Sequence, residues 1–167
     1  MNRFTITLGV LTAATGALLS VQASAATVVK YNSKAASGAC QAPLPNYEGN
    51  FRKRPLAVAN EGSTAAFLTC GIDNPDGNNR TNEVTLYVLN RTSAAADISC
   101  TMVDGAIDAT LGFASYYPQT ITVSSANASA LDWNGSFSPF SQAVSCNVPA
   151  AFEVNLIRGS YNDEIGA

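Results

Sequence analysis

The chain has 167 residues, 9 basic and 12 acidic, a net charge of −3, and no histidine. That charge argues against nucleic-acid binding, which needs a broad positive surface. The absence of histidine excludes a Ser-His-Asp triad, a Cys-His pair and every His-ligated metal site, leaving acid–base work to Asp, Glu, Tyr or Lys.

Residues 1–25 have the pattern of a secretory signal peptide. Arg3 supplies a positive head, Phe4 to Leu19 runs without a charge, and Ala23-Ser24-Ala25 is a small-x-small cleavage site. The run is too short and too rich in Thr and Gly for a stable membrane span; the competing reading is a buried N-terminal helix. No Cys follows the site, so no lipid anchor is expected there. Cleavage leaves residues 26–167, which number 142 and, without Arg3, carry a net charge of −4. A chain of this size forms one domain that buries about two thirds of its unfolded surface. No second long apolar stretch follows, so a soluble secreted or periplasmic product is expected.

Strand signals then follow one another along the chain. Thr27 to Asn32 reads as a strand, and the segment from Ser33 to Asn50 is rich in turn residues. Pro55 to Asn60 is short and apolar, with Leu56 and Val58 on one face, and Glu61-Gly62 signals a turn. Ser63 to Gly71 is the next strand. Glu83 to Arg91 alternates, with Val84, Leu86 and Val88 opposite Thr85 and Tyr87. Ala95 to Val103, Gln119 to Ser124, Ala130 to Trp133, Ala143 to Val148 and Phe152 to Arg158 complete the set. No window sustains a helical period. Eight or nine short strands separated by turns predict an all-β fold: a single antiparallel sandwich with a jelly-roll-like topology.

Four cysteines, Cys40, Cys70, Cys100 and Cys146, after a signal peptide predict two disulfides. Sequential pairing, Cys40 with Cys70 and Cys100 with Cys146, is the preferred of three connectivities. Each bridge would contribute roughly 3–4 kcal/mol by loop closure. A four-thiolate zinc site lacks its usual pair of Cys-x-x-Cys motifs, so no metal or cofactor is expected. Leu68, Ile98 and Val144 each stand two positions before a Cys, which puts those thiols on the core face of a strand. Bridges between neighbouring strands or between facing sheets both suit that placement. Cys40, Cys70 and Cys100 are evenly spaced by thirty residues, but their flanks do not read as a repeat, and the spacing is taken as coincidence.

Arg52-Lys53-Arg54-Pro55 is the one cationic cluster. In an extended chain Arg52 and Arg54 point one way and Lys53 the other. Charges and a proline at a strand's start guard a sheet edge; the same residues also make Arg52, Lys53 and Arg54 a candidate contact for anionic groups. Proteolytic processing is a third use, and Lys30 and Lys34 would join the cluster if the first strand packed beside it. Between Ile72 and Glu83 the chain partly matches a calcium loop through Asn74, Asp76, Gly77 and Glu83. Ile72 holds the place of the first ligand, which favours a polar connection. Tyr116, Tyr117, Trp133, Phe137 and Phe140 lie in a Ser-, Gly- and Pro-rich segment. On loops at one end of a sandwich, Tyr116, Tyr117 and Trp133 would stack on sugar rings with Asp132 as polar partner; packing is the competing use. Neither Asp104 with Asp108 nor Asp132 with Glu153 is marked as a catalytic pair. Asn79, Asn90, Asn127 and Asn134 open N-x-Ser/Thr sequons.

The stretch CQAPLPNYEGNFRKRPLAVANEGSTAAFLTC, with the later ISC and VSC strands, resembles small exported bacterial proteins that carry two cysteine pairs. The resemblance implies a periplasmic or secreted β-sandwich and brings no activity or site residues with it. The expected function is a non-enzymatic module contacting a surface, a glycan or a protein partner. The alternative is a glycan-active hydrolase or lyase working through Asp, Glu, Tyr or Arg.

Overall fold

The computed structural model describes residues 26–75, 77, 79–107 and 112–165. The signal-peptide expectation therefore lies outside the described residues, as do Asp76 and Asp108. Eleven strands and two helical turns follow in order: β1 (Ala26–Ala35), α1 (Ala36–Ala39), β2 (Cys40–Gln41), α2 (Pro45–Glu48), β3 (Phe51–Arg54), β4 (Ala57–Asn60), β5 (Ala66–Asp73), β6 (Thr81–Asn90), β7 (Ala96–Ile107), β8 (Gly112–Val123), β9 (Ala128–Phe137), β10 (Ser141–Val148) and β11 (Phe152–Ile165).

The strands form two antiparallel sheets. Sheet A has the order β3-β4-β11-β6-β9, with β1 also paired to β11; sheet B has the order β2-β5-β10-β7-β8. β4 and β1 share one edge of β11, pairing with Glu153–Val154 and with Leu156–Ile165 in turn, while β6 takes the other edge. From β4 to β11 the chain changes sheet at every step except the β7–β8 hairpin, which stays in sheet B; the four-stranded orders β4-β11-β6-β9 and β5-β10-β7-β8 are the jelly-roll topology. Strands β1 to β3 are additions at its margins.

Period-two alternation builds the core. Sheet B turns Leu68, Cys70, Ile72, Ile98, Cys100, Met102, Val144, Cys146 and Val148 inward, and sheet A answers with Val84, Leu86, Val88, Leu131, Phe152, Val154 and Ile157. Each large aliphatic side chain buried here contributes about 1.5–3 kcal/mol. A bulge between Val154 and Leu156 shifts the phase of β11, so that Val154 and Ile157, three apart, both reach the core. The disulfides are Cys40–Cys70 and Cys100–Cys146, as the sequential pairing expects. Each joins directly opposed residues on neighbouring strands of sheet B, β2 with β5 and β7 with β10. Neither staples one sheet to the other.

The thirty-residue spacing is not coincidence. Val28, Val58 and Val88 share it, as do Ser33, Ser63 and Ser93, the pairs Ala35-Ala36, Ala65-Ala66 and Ala95-Ala96, and the cysteines themselves. Each block leaves sheet A, on β1, β4 or β6, and ends on a Cys of sheet B, on β2, β5 or β7. The alanines stand where the chain passes from one layer to the other; Ala36 and Ala66 have no exposed surface. Small side chains fit that close passage, which is why the blocks agree there.

The cationic segment also differs from expectation. Arg52, Lys53 and Arg54 form an edge strand of their own, β3, and Pro55-Leu56 is the turn of a hairpin that returns as β4. Leu56 sits in that turn, exposed, and does not share a core face with Val58. The proline fixes φ for the turn, so the strand expected to start at Pro55 starts at Ala57.

Candidate functional site

Two edge strands, one from each sheet, face each other along one side of the sandwich: β8 of sheet B and β9 of sheet A. Between them lies a cleft of about 400 Å³ lined by Tyr116, Tyr117, Gln119, Asp132, Trp133, Asn134 and Phe137. The three aromatic residues singled out by sequence, Tyr116, Tyr117 and Trp133, thus meet in one place, with Asp132 beside them. They do so on strands and not on loops. Pro118 is tolerated within β8 because β8 is an edge strand.

The cleft has a fixed floor and a free rim. Trp133, 6% exposed, donates from its indole Nε1 to the Tyr117 carbonyl at 2.8 Å and so ties β9 to β8. Phe137 meets the Tyr117 ring edge-on at 5.3 Å between centroids. Tyr116 is 67% exposed and Tyr117 half-exposed. Gln119 Oε1 is buried with no hydrogen-bond partner among the described residues, an acceptor whose desolvation none of them offsets. Asp132 and Asn134 add exposed polar groups on β9. Among the described residues Asp132 is the one charged side chain in the lining. Aromatic faces beside a few fixed amide and carboxylate groups suit a ligand with both C–H faces and hydroxyls.

The arginines lie elsewhere. β3 and β9 are the opposite margins of sheet A, four strand spacings or roughly 19 Å apart. Arg52 and Arg54 project on one side, and both reach Glu61, at 3.6 and 2.8 Å. Lys53 projects on the other and lines a second hollow with Glu48, Val58 and Leu68. Glu153, 2% exposed, is held between Arg91 and Arg54. Its Oε1 lies 2.6 Å from Arg91 Nε and 3.5 Å from Arg54 Nη1, and its Oε2 accepts from Arg91 Nη2 at 2.8 Å. The hydrogen bond from Arg54 holds the Glu61 carboxyl below the usual carboxylate range, and the one to Glu153 raises Arg91. Lys30 and Lys34 do not join this cluster: Lys30 meets Asp163 and Lys34 meets Asp73.

The remaining candidates separate. Ile72 is buried in the core, which removes the first place of the calcium loop, and Asp76 lies outside the described residues. Among the described residues no group of three or more His, Cys, Asp or Glu is placed to hold a metal. Asp104 is buried, accepting from the Ser138 amide and from Gln142 Nε2, and Asp108 lies outside the described residues. Asp132 and Glu153 sit on different columns of sheet A, on the order of 15 Å apart by strand geometry. Asn90 has no exposed surface, so its sequon is inaccessible in the folded chain.

Sequence reasoning missed a neighbouring cluster on the outer face of sheet A. The Arg158 guanidinium lies over the rings of Tyr31 at 5.0 Å and Tyr87 at 5.6 Å. Its Nη2 is 3.5 Å from Thr85 Oγ1 and 3.6 Å from Glu83 Oε1. The signal was the alternation of β6 itself, whose polar set of Glu83, Thr85 and Tyr87 shares one face. Arg158 could be assigned to that face only once β11 was known to lie beside β6.

Fold and cleft together define a disulfide-braced jelly-roll protein with an open aromatic cleft at one edge. Neither a protein-family model nor a curated protein matches the chain. Among solved structures it is similar to an exo-β-1,3-galactanase from Phanerochaete chrysosporium with galactose, at 14% identity and a TM-score of 0.35. That match covers 82% of this chain, which spans 29% of the galactanase's length. It is also similar to TmCBM61 in complex with β-1,4-galactotriose, at 10% identity over 80% of this chain and 88% of that one, with a TM-score of 0.36. A CBM4 structure gives 8% identity over 80% and 86%, with a TM-score of 0.37. With TM-scores below 0.5, these likenesses carry no weight for the site.

Proposed function

We propose that the protein is an exported, non-enzymatic glycan-binding module that takes a sugar ring in the cleft between β8 and β9. One observation carries this reading: Tyr116 and Tyr117 of β8 and Trp133 of β9, on edge strands of different sheets, converge on one cleft with Gln119, Asp132 and Asn134. Tyr116 and Tyr117 supply rings for the C–H face of a sugar. Asp132 and Asn134 hydrogen-bond its hydroxyls, and a hydroxyl of the ligand satisfies the orphaned Gln119 amide oxygen. Asp132 repels acidic sugars, so the preferred ligand is neutral. Arg52 and Arg54 serve as counter-ions for Glu61 and Glu153 at the far margin and take no part in binding.

The hydrolase alternative needs two carboxyl groups about 5–10 Å apart across one bond. Asp132 is the lone carboxylate among the described residues of the cleft lining, which favours binding over hydrolysis. The test is a glycan array probed with the purified chain and with its Tyr116→Ala/Tyr117→Ala variant. The reading expects neutral glycans as hits for the first and their loss for the second. Equal signals from both proteins would overturn it.

A further inference from the structure

The β9 wall of the cleft is also the margin of a wider polar face. Two adjacent cross-strand rows run over sheet A. Ser33, Arg158, Thr85 and Asp132 are successive register partners on β1, β11, β6 and β9. Tyr31, Ser160, Glu83 and Asn134 form the row beside it. Thr85 and Ser160 are buried and make the floor. Arg158, Glu83, Tyr31 and Tyr87 stand above them. Asp132 and Asn134 belong both to this face and to the cleft.

The centre of this face is a cation between two rings. Arg158 is held over Tyr31 and Tyr87; among the described residues its polar contacts are long ones, to Thr85 and Glu83, and its Nε is buried without a partner. A guanidinium carries five N–H donors, so this one has hydrogen-bonding capacity left over. Tyr31 is 59% exposed although it packs on Arg158. Side chains clamped in this way lose little rotamer freedom when a ligand arrives, which lowers the cost of binding.

We infer that the binding surface does not end at the cleft: an unbranched neutral glycan leaving it crosses β9, β6, β11 and β1 at right angles to the strands. Arg158 and Glu83 bond its hydroxyls, and the Tyr31 ring supports a distal sugar. The path covers three strand spacings beyond the cleft, about 14 Å. Charge complementarity favours a neutral chain, because the path carries both signs, Asp132 and Glu83 negative and Arg158 positive, and offers no run of cations to an acidic one. The inference rests on the cleft reading and adds a requirement for length.

The experiment is isothermal titration of the purified chain with neutral β-1,4-linked oligosaccharides of glucose, galactose, xylose and mannose, in ladders from two to six units. The expected result is an affinity that climbs at least about tenfold between two and six units for the accepted series. Tyr31→Ala should erase that climb and leave the two-unit affinity intact. Tyr116→Ala should weaken every length. Melting temperatures of all variants separate lost binding from lost fold, and Glu83→Gln, which keeps the shape, provides a second probe of the distal path. An affinity that is flat with length, or a Tyr31→Ala ladder identical to the parent's, overturns the extension and spares the cleft. No binding at any length overturns both.

Discussion

Asn60 and Asn90, thirty residues apart, clamp two equivalent bends with the same three hydrogen bonds. Asn60 Nδ2 donates to the carbonyls of Thr64 and Val148, and its Oδ1 accepts from the Gly62 amide. Asn90 Nδ2 donates to the carbonyls of Ala94 and Val123, and its Oδ1 accepts from the Thr92 amide. Each side chain thus satisfies the backbone where the chain leaves sheet A for sheet B. Both are essentially buried, so water cannot replace them. Asn60→Ala and Asn90→Ala should each cost roughly 2–4 kcal/mol, because buried carbonyls lose their donor. Asn90→Asp should cost a comparable amount, since a carboxylate keeps the acceptor and loses the donor. Urea unfolding of the single variants measures this; losses within about 0.5 kcal/mol would show the clamps to be dispensable.

The fold was legible in the sequence wherever period-two alternation was clean, as in β6 and β7, and wherever Cys positions marked inward faces. β2 and β3 were not. A two-residue strand has no period, and three consecutive cations mask alternation in a strand whose edge position is what tolerates them. The repeat was present in the letters but diluted, because the matching positions are Val, Ser and Ala among many others of the same kind. Their shared task, crossing between layers, becomes visible only with the sheets in place. The cleft was half legible. Tyr116, Tyr117 and Trp133 are conspicuous in the sequence, but Gln119 is not, because an orphaned amide is a property of packing. Arg158 was hidden for a related reason: its partners Tyr31 and Tyr87 lie on other strands, and pairing is non-local.

Exposure separates the cleft residues that hold the fold from those that meet a ligand. Trp133→Ala removes a buried indole and its bond to Tyr117, and should cost roughly 3–5 kcal/mol. Tyr116→Ala removes an exposed ring and should change stability by no more than about 0.5 kcal/mol. Thermal melts of the two variants should therefore diverge widely, and a Tyr116→Ala variant that unfolds like Trp133→Ala would place Tyr116 in the packing.

The two disulfides should differ in what they protect. Cys100–Cys146 joins two long strands inside sheet B, and Cys40–Cys70 tethers the two-residue β2 at its margin. Loop lengths of 46 and 30 residues predict entropic contributions within about half a kcal/mol of each other. The contrast is in extent. Cys40→Ser/Cys70→Ser should raise hydrogen exchange mainly over residues 26–50, whereas Cys100→Ser/Cys146→Ser should raise it across sheet B. Uniform exchange changes in both would argue against a marginal role for β2.

Asp73 fastens β1 to sheet B: Lys34 Nζ donates to its Oδ2 at 2.7 Å, and Asn32 Nδ2 donates to its backbone carbonyl at 2.7 Å. The hydrogen bond from Lys34 holds the Asp73 carboxyl below its ordinary value, against the opposing push of burial. A depressed carboxylate stabilises the fold above the unfolded value, about pH 4, and that contribution disappears as pH falls through the lower folded value. The pair is exposed, so its worth is at most about 1 kcal/mol. Lys34→Met should loosen exchange in β1 at pH 7 and make β1 exchange less sensitive to acidification. An unchanged acid response in that variant would remove Asp73 as the fastening.

Glu153 turns the cationic cluster from a surface feature into a structural one. Its carboxylate is buried at the Glu153–Ala59 pair of the β4–β11 ladder and is met by Arg91 and Arg54, while Glu61 holds Arg52 and Arg54 from outside. A buried charge stripped of a partner destabilises more than a well-packed neutral group of the same shape. Replacing Arg52, Lys53 and Arg54 together by Ser should therefore lower the melting temperature and leave glycan binding unchanged, because the cleft is at the other margin. Glu153→Gln should destabilise the parent, because Arg91 and Arg54 then face no charge. In the triple variant the same change should cost less, since only Arg91 remains to lose its counter-charge. A smaller cost in the triple variant is the signature of coupling; equal costs in both would mean that Glu153 and the replaced arginines act independently.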